Sequence, residues 1–240
     1  MNELEASIAK MIPNGNRLEL PQDCHFDNYP AVKKAMIAAG GKYNKNGFIF
    51  PDPVEEIHAR LSGGEKIDIK KDFQFFETPK EVADMIHDLA EISSFDIVLE
   101  PSAGRGALLE PLHKAKVFCV ELMRENVKYL QDNEYLVTEG DFLEMIPEEL
   151  GKFDRIIANP PFTKNQDIDH VLHMYKFLAD GGILVSVMSP SWTFGSQKKQ
   201  VRFREWLSEI NAEVIELDAG AFKESGTMVR SCIVKITKPQ

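Results

Sequence analysis

The sequence predicts an α/β protein whose main domain is a doubly wound, mostly parallel β-sheet, preceded by a small α+β module. Short apolar runs typical of buried strands alternate with helical segments from Ile97 towards the end of the chain. Several of these runs end in glycine-rich or polar turns, as strands of an open α/β sheet do beside a ligand. The first 72 residues follow a different pattern, so we divide the chain into a module of residues 1–72 and a domain of residues 73–240.

The N-terminal module mixes short strands with short helices. Its predicted elements are a strand Arg17–Leu20, a helix Pro30–Ala39, a hairpin Lys42–Phe50, a helix Pro53–Leu61 and a strand Ile67–Ile69. The hairpin is predicted to turn at Asn46-Gly47, a dipeptide typical of two-residue β-turns. Its aromatic residues Tyr43, Phe48 and Phe50 alternate with Lys42 and Lys45, which suits base stacking and phosphate contact. Such aromatic residues more often form the core of a small domain.

The main domain repeats apolar strands separated mostly by helices. The predicted strands are Asp96–Glu100, Lys116–Glu121, Tyr135–Thr138, Phe153–Ala158, Gly182–Ser189, Glu213–Asp218 and Val229–Ile236. The predicted helices are Ala107–His113, Asp167–Leu178 and Lys198–Ile210. Because the last two strands are joined by a loop without a helix, we expect them to pair antiparallel.

Composition places the chain among globular proteins of a reducing compartment. It has 240 residues, 43% of them hydrophobic, enough for a full core. Three widely spaced cysteines, Cys24, Cys119 and Cys232, indicate reduced thiols. No stretch is long and apolar enough to cross a membrane, so we expect a cytoplasmic protein without membrane contact. The six histidines form no metal-spaced cluster, and no metal site is predicted.

The net charge of −10 argues at first sight against a polyanionic partner. The acidic excess lies in the main domain, since residues 1–72 hold 10 Lys and Arg against 11 Asp and Glu. The main domain also carries a local basic cluster of Lys164, Lys198, Lys199, Arg202 and Arg204. Basic residues at the start of a helix oppose the usual dipole preference, which favours an anionic partner; a solvated helix face explains them equally well.

Asn159-Pro160-Pro161-Phe162, directly after the strand Phe153–Ala158, is the most informative segment. The two prolines end the strand, fix φ and remove two backbone donors. A rim of carbonyl oxygens, an amide and an aromatic face remains. Such a rim suits a planar molecule with an NH₂ group, because the carbonyls accept its hydrogens and the ring stacks on its face.

Three earlier strand ends describe a nucleoside pocket. The strand ending at Glu100 is followed by Pro101-Ser102-Ala103-Gly104-Arg105-Gly106, a turn that lets a ligand approach the backbone. Leu109 occupies the position of the third glycine of the dinucleotide fingerprint, which disfavours a nicotinamide or flavin site. Glu121 ends the next strand, at a spacing suited to ribose hydroxyls, and Asp141-Phe142 follows the third.

In this order, these segments resemble the class I S-adenosylmethionine-dependent methyltransferases, and more narrowly those acting on adenine N6 in nucleic acid. The similarity covers about Phe73 to Lys238 and implies a seven-stranded, mostly parallel Rossmann-like sheet. Phe76–Pro79, leading into Lys80–Glu91, is similar to the family's element over the methionine part of the cofactor, and Ala221–Thr227 to its last loop. The resemblance implies that S-adenosylmethionine contacts Thr78, Glu100, Pro101, Ser102, Ala103, Gly104, Gly106, Glu121, Leu122, Asp141, Phe142 and Asn159.

The resemblance also implies a catalytic role for Asn159, Pro160, Pro161 and Phe162. The target adenine leaves its helix and stacks on Phe162, while Asn159 Oδ1 and the Pro160 carbonyl accept the two amine hydrogens. Glu121 accepts the ribose hydroxyls and Asp141 the cofactor's adenine amine, with Phe142 or Leu122 against its ring. No general base is required, because the product ammonium loses its proton readily.

Three functions remain open at this point. DNA is favoured over RNA as the substrate, although most DNA-modifying members carry a large target-recognition domain after the catalytic unit, where this sequence has only a closing strand. The third alternative is a non-catalytic binding protein, which would not need the groups of Asn159–Phe162. Protein glutamine methylation is disfavoured because Phe162 stands where those enzymes have tyrosine.

Overall fold

The computed structural model describes residues 2–22, 26–50, 53–67, 77–110, 112, 116–218, 220–223 and 230–240. The chain divides into two compact units, Met1–Phe75 and Phe76–Gln240. The boundary at residues 72 and 73 that we predict from the sequence lies outside the described residues. Each unit is presented by itself.

Among its described residues, the first unit has a four-stranded antiparallel sheet and three helices. Its elements are α1 (Glu3–Ala9), β1 (Ile12–Asn14), β2 (Arg17–Glu19), α2 (Tyr29–Ala38), β3 (Lys42–Asn44), β4 (Gly47–Ile49) and α3 (Glu55–Ser62). The strand order is β1-β2-β4-β3. Leu18 and Phe48 are fully buried in its core together with Val32 and Met36 of α2.

Two features of this unit differ from the prediction. The sequence analysis missed α1, although Asn2 and Glu5 form a capping box at its start. The hairpin turns at Lys45-Asn46, one residue earlier than predicted, because Gly47 already belongs to β4 and pairs with Asn44. A Cβ at Gly47 would lie 2.6 Å from the Leu18 carbonyl oxygen, so this glycine allows close strand pairing rather than the turn. Of the predicted strand Ile67–Ile69, Ile67 is not in a strand and the rest lies outside the described residues.

The second unit contains seven strands, separated for the most part by helices. Its strands are β5 (Val98–Glu100), β6 (Val117–Glu121), β7 (Leu136–Glu139), β8 (Phe153–Ala158), β9 (Leu178–Met188), β10 (Glu213–Glu216) and β11 (Cys232–Thr237). Its helices are α4 (Lys80–Ala90), α5 (Arg124–Asp132), α6 (Pro147–Leu150), α7 (Gln166–Phe177), α8 (Ser191–Phe194) and α9 (Lys198–Glu209). Short 3₁₀ turns lie at Phe142–Glu144 and Thr163–Asn165.

These strands form one sheet in the order β10-β11-β9-β8-β5-β6-β7. The neighbours from β9 to β7 pair in parallel, and β11 runs antiparallel to both β9 and β10. The predicted seven-stranded, mostly parallel sheet is confirmed, as is the antiparallel pairing of the last two strands. In β8, Ile156 and Ile157 belong to separate core clusters, because successive side chains of a strand point to opposite faces.

The segment after the glycine turn departs from its predicted helix. Residues 107–110 form turns, with Leu109 N donating to Gly106 O and Leu112 N to Leu109 O, each three residues back. This spacing is that of a 3₁₀-type bond, so the chain makes tight turns instead of an α-helix here. Helix α5 was not predicted, although Val127 and Leu130 are buried on one of its faces. In the part of the chain that the structure describes, no helix is long and apolar enough to span a membrane.

Candidate active site at the carboxyl edge of the sheet

The predicted ligand-binding residues meet at one edge of the large sheet. Strands β8, β5, β6 and β7 are adjacent and parallel, so their carboxyl ends lie side by side. Glu100 ends β5, Glu121 ends β6, and Asn159 directly follows β8. This edge, close to where the strand order reverses on either side of β5, is the usual position of a ligand crevice in an open α/β sheet.

The glycine turn after β5 requires its two glycines. Gly104 has φ +56° and Gly106 has φ +80°, both in the region that side chains disfavour. A Cβ at Gly106 would also lie 3.1 Å from Leu109 and 3.2 Å from Leu130. The turn is fastened to the end of β6, since Ala103 N donates to Val120 O over 3.1 Å. The backbone is therefore held where a ligand would approach it.

Glu121 supports this turn with its carboxylate. Oε2 accepts a hydrogen bond from Gly104 N at 2.7 Å, and Oε1 accepts one from Met123 N at 2.6 Å. Burial raises the pKa of Glu121, and the backbone hydrogen bonds from Met123 and Gly104 oppose this rise. Hydrogen bonds from the Asn126 side chain and the Leu122 backbone also lower this pKa, so the carboxylate is held firmly at the end of β6.

Two polar atoms beside the turn are buried without a partner among the described residues. They are Oε2 of Glu100 and Oγ of Ser102. Burial raises the pKa of Glu100 well above its usual value, and the nearby charge of Glu121 adds to this effect. Because buried polar groups almost always find a hydrogen-bond partner, these two atoms are candidates for contact with a polar ligand at this edge.

Asp141 and Phe142, which follow β7 and were predicted to contact the ligand together, lie in different environments. Asp141 caps the following 3₁₀ turn, its Oδ1 accepting from Leu143 N at 2.9 Å, and it stays partly exposed. Phe142 is only 2% exposed and packs in the core, with ring centroids 4.9 Å from Phe177 and 5.0 Å from His173. Of the two side chains predicted to lie against a ligand ring, Leu122, 51% exposed, is therefore the one that the fold leaves accessible.

Asn159 is oriented by a residue far away in the sequence. Its Nδ2 donates to Thr78 Oγ1 at 3.1 Å, and Thr78 itself is 7% exposed, just before α4. With Nδ2 directed to Thr78, Oδ1 is the acceptor end of the amide. Pro160 is buried, while Pro161 and Phe162 are partly buried. The structure thus brings Thr78, predicted only as a cofactor contact, into direct contact with the predicted catalytic amide.

Hydrogen bonds of Asn165 hold the far end of the same loop. Lys164 and Asn165 have φ of +56° and +60°, a conformation that non-glycine residues adopt at a cost of about 1–2 kcal/mol each. Asn165 Nδ2 donates to Gln197 Oε1 at 2.9 Å and its Oδ1 accepts from Gln200 Nε2 at 2.9 Å. These bonds fasten the loop to the start of α9 and offset the backbone strain. The signal was present in the sequence, since asparagine tolerates this conformation best among the larger residues.

Asp167 is a third support that the sequence analysis missed. It is 1% exposed, and its two oxygens accept from Ile168 N and Ser189 N, each at 3.0 Å. The bond to Ser189 joins the start of α7 to the end of β9. Burial raises the pKa of Asp167 to about 6. Nothing in the sequence distinguishes this aspartate from a solvated one at a helix start.

Some residues of the basic cluster and of the aromatic hairpin make contacts within the protein itself. Lys199 pairs with Asp169, and Arg204 donates to the Gly195 carbonyl at 2.8 Å. Lys164, Lys198 and Arg202 are exposed. In the first unit, Phe48 and Phe50 are buried in the core and Tyr43 is half exposed, with the Lys33 amine 5.3 Å from its ring centre. Two of the three hairpin aromatic residues are therefore core residues.

Comparison with known proteins agrees with this architecture. The chain is 31% identical over 169 residues to the type II methyltransferase M.CvrRI of Paramecium bursaria Chlorella virus XZ-6E, covering 60% of this chain and 42% of that protein. It is 37% identical over 111 residues to a protein of Methanococcoides burtonii named "Probable ribosomal RNA small subunit methyltransferase A", covering 43% of this chain and 40% of that one. The chain thus spans less than half the length of these relatives. No protein-family profile matches it.

The fold has counterparts among solved structures. The methyltransferase subunit of a type I restriction-modification system from Streptococcus thermophilus superimposes with a TM-score of 0.61 at 20% identity. The superposition covers 69% of this chain and 45% of that subunit. The chain therefore has the class I methyltransferase fold, and the resemblance to class I S-adenosylmethionine-dependent methyltransferases that its motifs predict is confirmed.

Proposed function

We propose that this protein transfers a methyl group from S-adenosylmethionine to the N6 amine of adenine in DNA. The observation that carries the proposal is the hydrogen bond from Asn159 Nδ2 to Thr78 Oγ1. It fixes the Asn159 amide, with Nδ2 turned to Thr78, on the same sheet edge as the glycine turn. A methyl donor and an amine acceptor would therefore meet at one place.

The residues at this edge fit the cofactor. Glu100 Oε2 and Ser102 Oγ, both buried without a partner among the described residues, would meet the polar groups of its amino-acid part beside the Gly104–Gly106 turn. Glu121 would accept from the ribose hydroxyls and Asp141 from the adenine amine, with Leu122 against the ring. When bound, S-adenosylmethionine supplies a methyl group made electrophilic by the positive sulfur.

The target amine would be held by the rim after β8. Asn159 Oδ1 and the Pro160 carbonyl accept its two hydrogens, which draws the nitrogen towards sp³ geometry and frees its lone pair. Phe162 stacks on the base and offsets about 1–3 kcal/mol of the few kcal/mol needed to extrude it from a duplex. The methylated nitrogen is a strong acid, so its proton leaves without a dedicated base.

DNA is the favoured substrate because the similarity to M.CvrRI extends over 169 residues, longer than that to the M. burtonii protein. RNA methylation at the same adenine atom is the second candidate, and the higher 37% identity to the latter protein favours it. A purely binding function is disfavoured, because binding alone gives no reason to fix the orientation of the Asn159 amide.

We also propose that residues 1–72 engage the substrate and that the protein acts in the cytoplasm. Lys42 and Lys45 are exposed on the hairpin beside the half-exposed Tyr43, which suits contact with phosphate and base. The buried Cys119 and Cys232 are both free thiols, as in proteins of a reducing compartment.

The test is methyl transfer from tritiated S-adenosylmethionine to pools of DNA and of RNA, followed by mass spectrometry of the nucleosides. We expect N6-methyladenine in the DNA pool. The substitution Asn159→Ala should abolish transfer while cofactor affinity stays within a few-fold, since Asn159 holds the target amine. Asn133→Ala, at the exposed end of α5, serves as the control. Methylation of RNA alone would select the second candidate, and full activity of Asn159→Ala would refute the assigned mechanism.

A further inference from the structure

Phe194 is an aromatic side chain left in solvent beside the candidate active site. It is 79% exposed at the end of the short helix α8, between β9 and α9. A singly exposed apolar residue needs no explanation by itself. Phe194, however, stands on a rigid segment that is hydrogen-bonded to the loop of Asn159 and has exposed lysines on its neighbouring residues.

The segment that carries Phe194 is firmly anchored. Trp192, two residues earlier, is buried and packs edge to face on Phe203 with ring centres 5.1 Å apart. Gly195 N donates to Ser191 O at 2.9 Å, and Arg204 donates to the carbonyl oxygens of Trp192 and Gly195. The exposed ring therefore stands on a fixed support and would lose little backbone entropy on contact with a ligand.

This support is joined directly to the loop that holds Asn159. Gln197, three residues after Phe194, accepts from Asn165, which lies three residues after Phe162. The bond from Ser189 N to Asp167 links the two segments a second time. Phe194 is thus carried by a segment that is hydrogen-bonded to the loop of the predicted target site, where we expect bases flanking the target to pass.

Exposed basic side chains lie on the segments that adjoin Phe194. Lys164 and Lys198 each neighbour one partner of the Asn165–Gln197 hydrogen bond, and both are exposed. The nearby acid Asp169 is already paired with Lys199. A fixed aromatic face with exposed cationic groups on the adjoining segments suits a chain of bases and phosphates.

We propose that Phe194 is a stacking platform for an unpaired base next to the target base, with Lys164 and Lys198 contacting the adjoining phosphates of the same strand. The inference rests on the proposed function in that the strand enters the Asn159 site. The stacking on Phe194 is a contact that the residues of the methyl-transfer site do not provide. The ligand that binds this platform is a single strand of nucleic acid.

The test is fluorescence anisotropy of a labelled oligothymidylate, and of a matching oligouridylate, titrated with the full chain. Phe194→Ala and Phe194→Leu should each weaken binding by about 5- to 150-fold, the range expected for one lost stacking contact. Phe194→Tyr should stay near the wild type, because it keeps the aromatic face. Phe95→Ala is the matched control, since Phe95 is 84% exposed but precedes β5, at the opposite edge of the sheet. Thermal unfolding of each variant verifies that it is folded.

Wild-type affinity in both Phe194→Ala and Phe194→Leu would overturn the inference, and so would a wild-type chain that binds neither oligonucleotide. The two arms tell DNA from RNA as the strand. A chain that binds through Phe194 but methylates no nucleic acid would remove the proposed function and keep the platform. If Phe194→Ala methylated DNA with wild-type affinity and turnover, the proposed function would stand and the stacking platform would be refuted.

Discussion

Replacing Thr78 by valine tests whether Asn159 is held in a working orientation. Valine has nearly the same shape as threonine, so packing around this buried position changes little, but Oγ1 is lost. The Asn159 Nδ2 donor, now 3.1 Å from Thr78 Oγ1, would then have lost that acceptor. The amide would turn to satisfy itself elsewhere, and its oxygen would no longer face the target amine.

The expected magnitude follows from the cost of restoring the working orientation. Returning the amide to its position in the variant leaves a partly buried donor without its Thr78 acceptor, which costs at most about 1–3 kcal/mol. If that cost is added to the activation barrier, turnover falls by about 5- to 150-fold, since each 1.36 kcal/mol is a factor of ten. The cofactor meets neither end of this bond in the proposed mechanism, so its affinity should change by less than a few-fold.

Single-turnover methylation of the nucleic acid that the nucleoside assay selects, paired with calorimetry of S-adenosylmethionine binding, separates turnover from cofactor affinity. Thr78→Ser keeps the hydroxyl and should recover most of the rate, which a general packing defect would not allow. If Thr78→Val turned over normally, the orienting role would be refuted. If its cofactor affinity fell while the rate at saturation held, Thr78 would be a direct cofactor contact, as the sequence resemblance alone implied.

Three further changes have defined expectations. Glu121→Ala should weaken S-adenosylmethionine binding by about 1–3 kcal/mol in calorimetry, because the Gly104 turn loses its anchor; unchanged affinity would refute the pocket. Burial raises the pKa of Asp167 from 3.8 to about 6, so the folded protein keeps a proton that the unfolded chain releases, and stability falls as pH rises through this range. The stability of Asp167→Asn in urea unfolding should decline less than that of the wild type between pH 4 and 7, by about 2 kcal/mol; an identical decline would contradict this. Lys42→Ala with Lys45→Ala should weaken DNA binding and its salt dependence without altering cofactor affinity, as anisotropy at two salt concentrations would report.

The parts of the fold that could be predicted are those set by local sequence. Strand β8 matches its prediction at both ends, because an apolar run buried on both faces has few alternatives. The positive φ of Gly104 and Gly106 likewise follows from a glycine-rich turn between a strand and a polar ligand edge. The segment after Gly106 was predicted as a helix because its composition suits one. Its backbone hydrogen bonds instead connect residues three apart, as in a 3₁₀-type turn.

The parts that could not be predicted depend on contacts between distant segments. Thr78 and Asn159 are 81 residues apart, and no periodicity in either segment indicates that they touch. Phe142 looks like a residue at a ligand edge until α7 brings His173 and Phe177 against its ring. A motif therefore locates a site along the chain, whereas only the packing of neighbouring elements decides which of its side chains remain accessible.

The hydrogen bonds around Asn159 fit the proposed mechanism, which depends on fixed geometry. The amide is held from one side by Thr78, and the loop that follows it is held by Asn165 through the start of α9. The buried carboxyl groups with raised pKa, Glu100 and Glu121, end β5 and β6 beside the glycine turn, where a positively charged ligand would favour their ionised forms. Holding an amine in line with a methyl donor needs acceptors fixed in advance rather than a group that exchanges protons. The strained backbone at Lys164 and Asn165 fits this requirement, because a loop fastened at both ends cannot relax when the target base leaves.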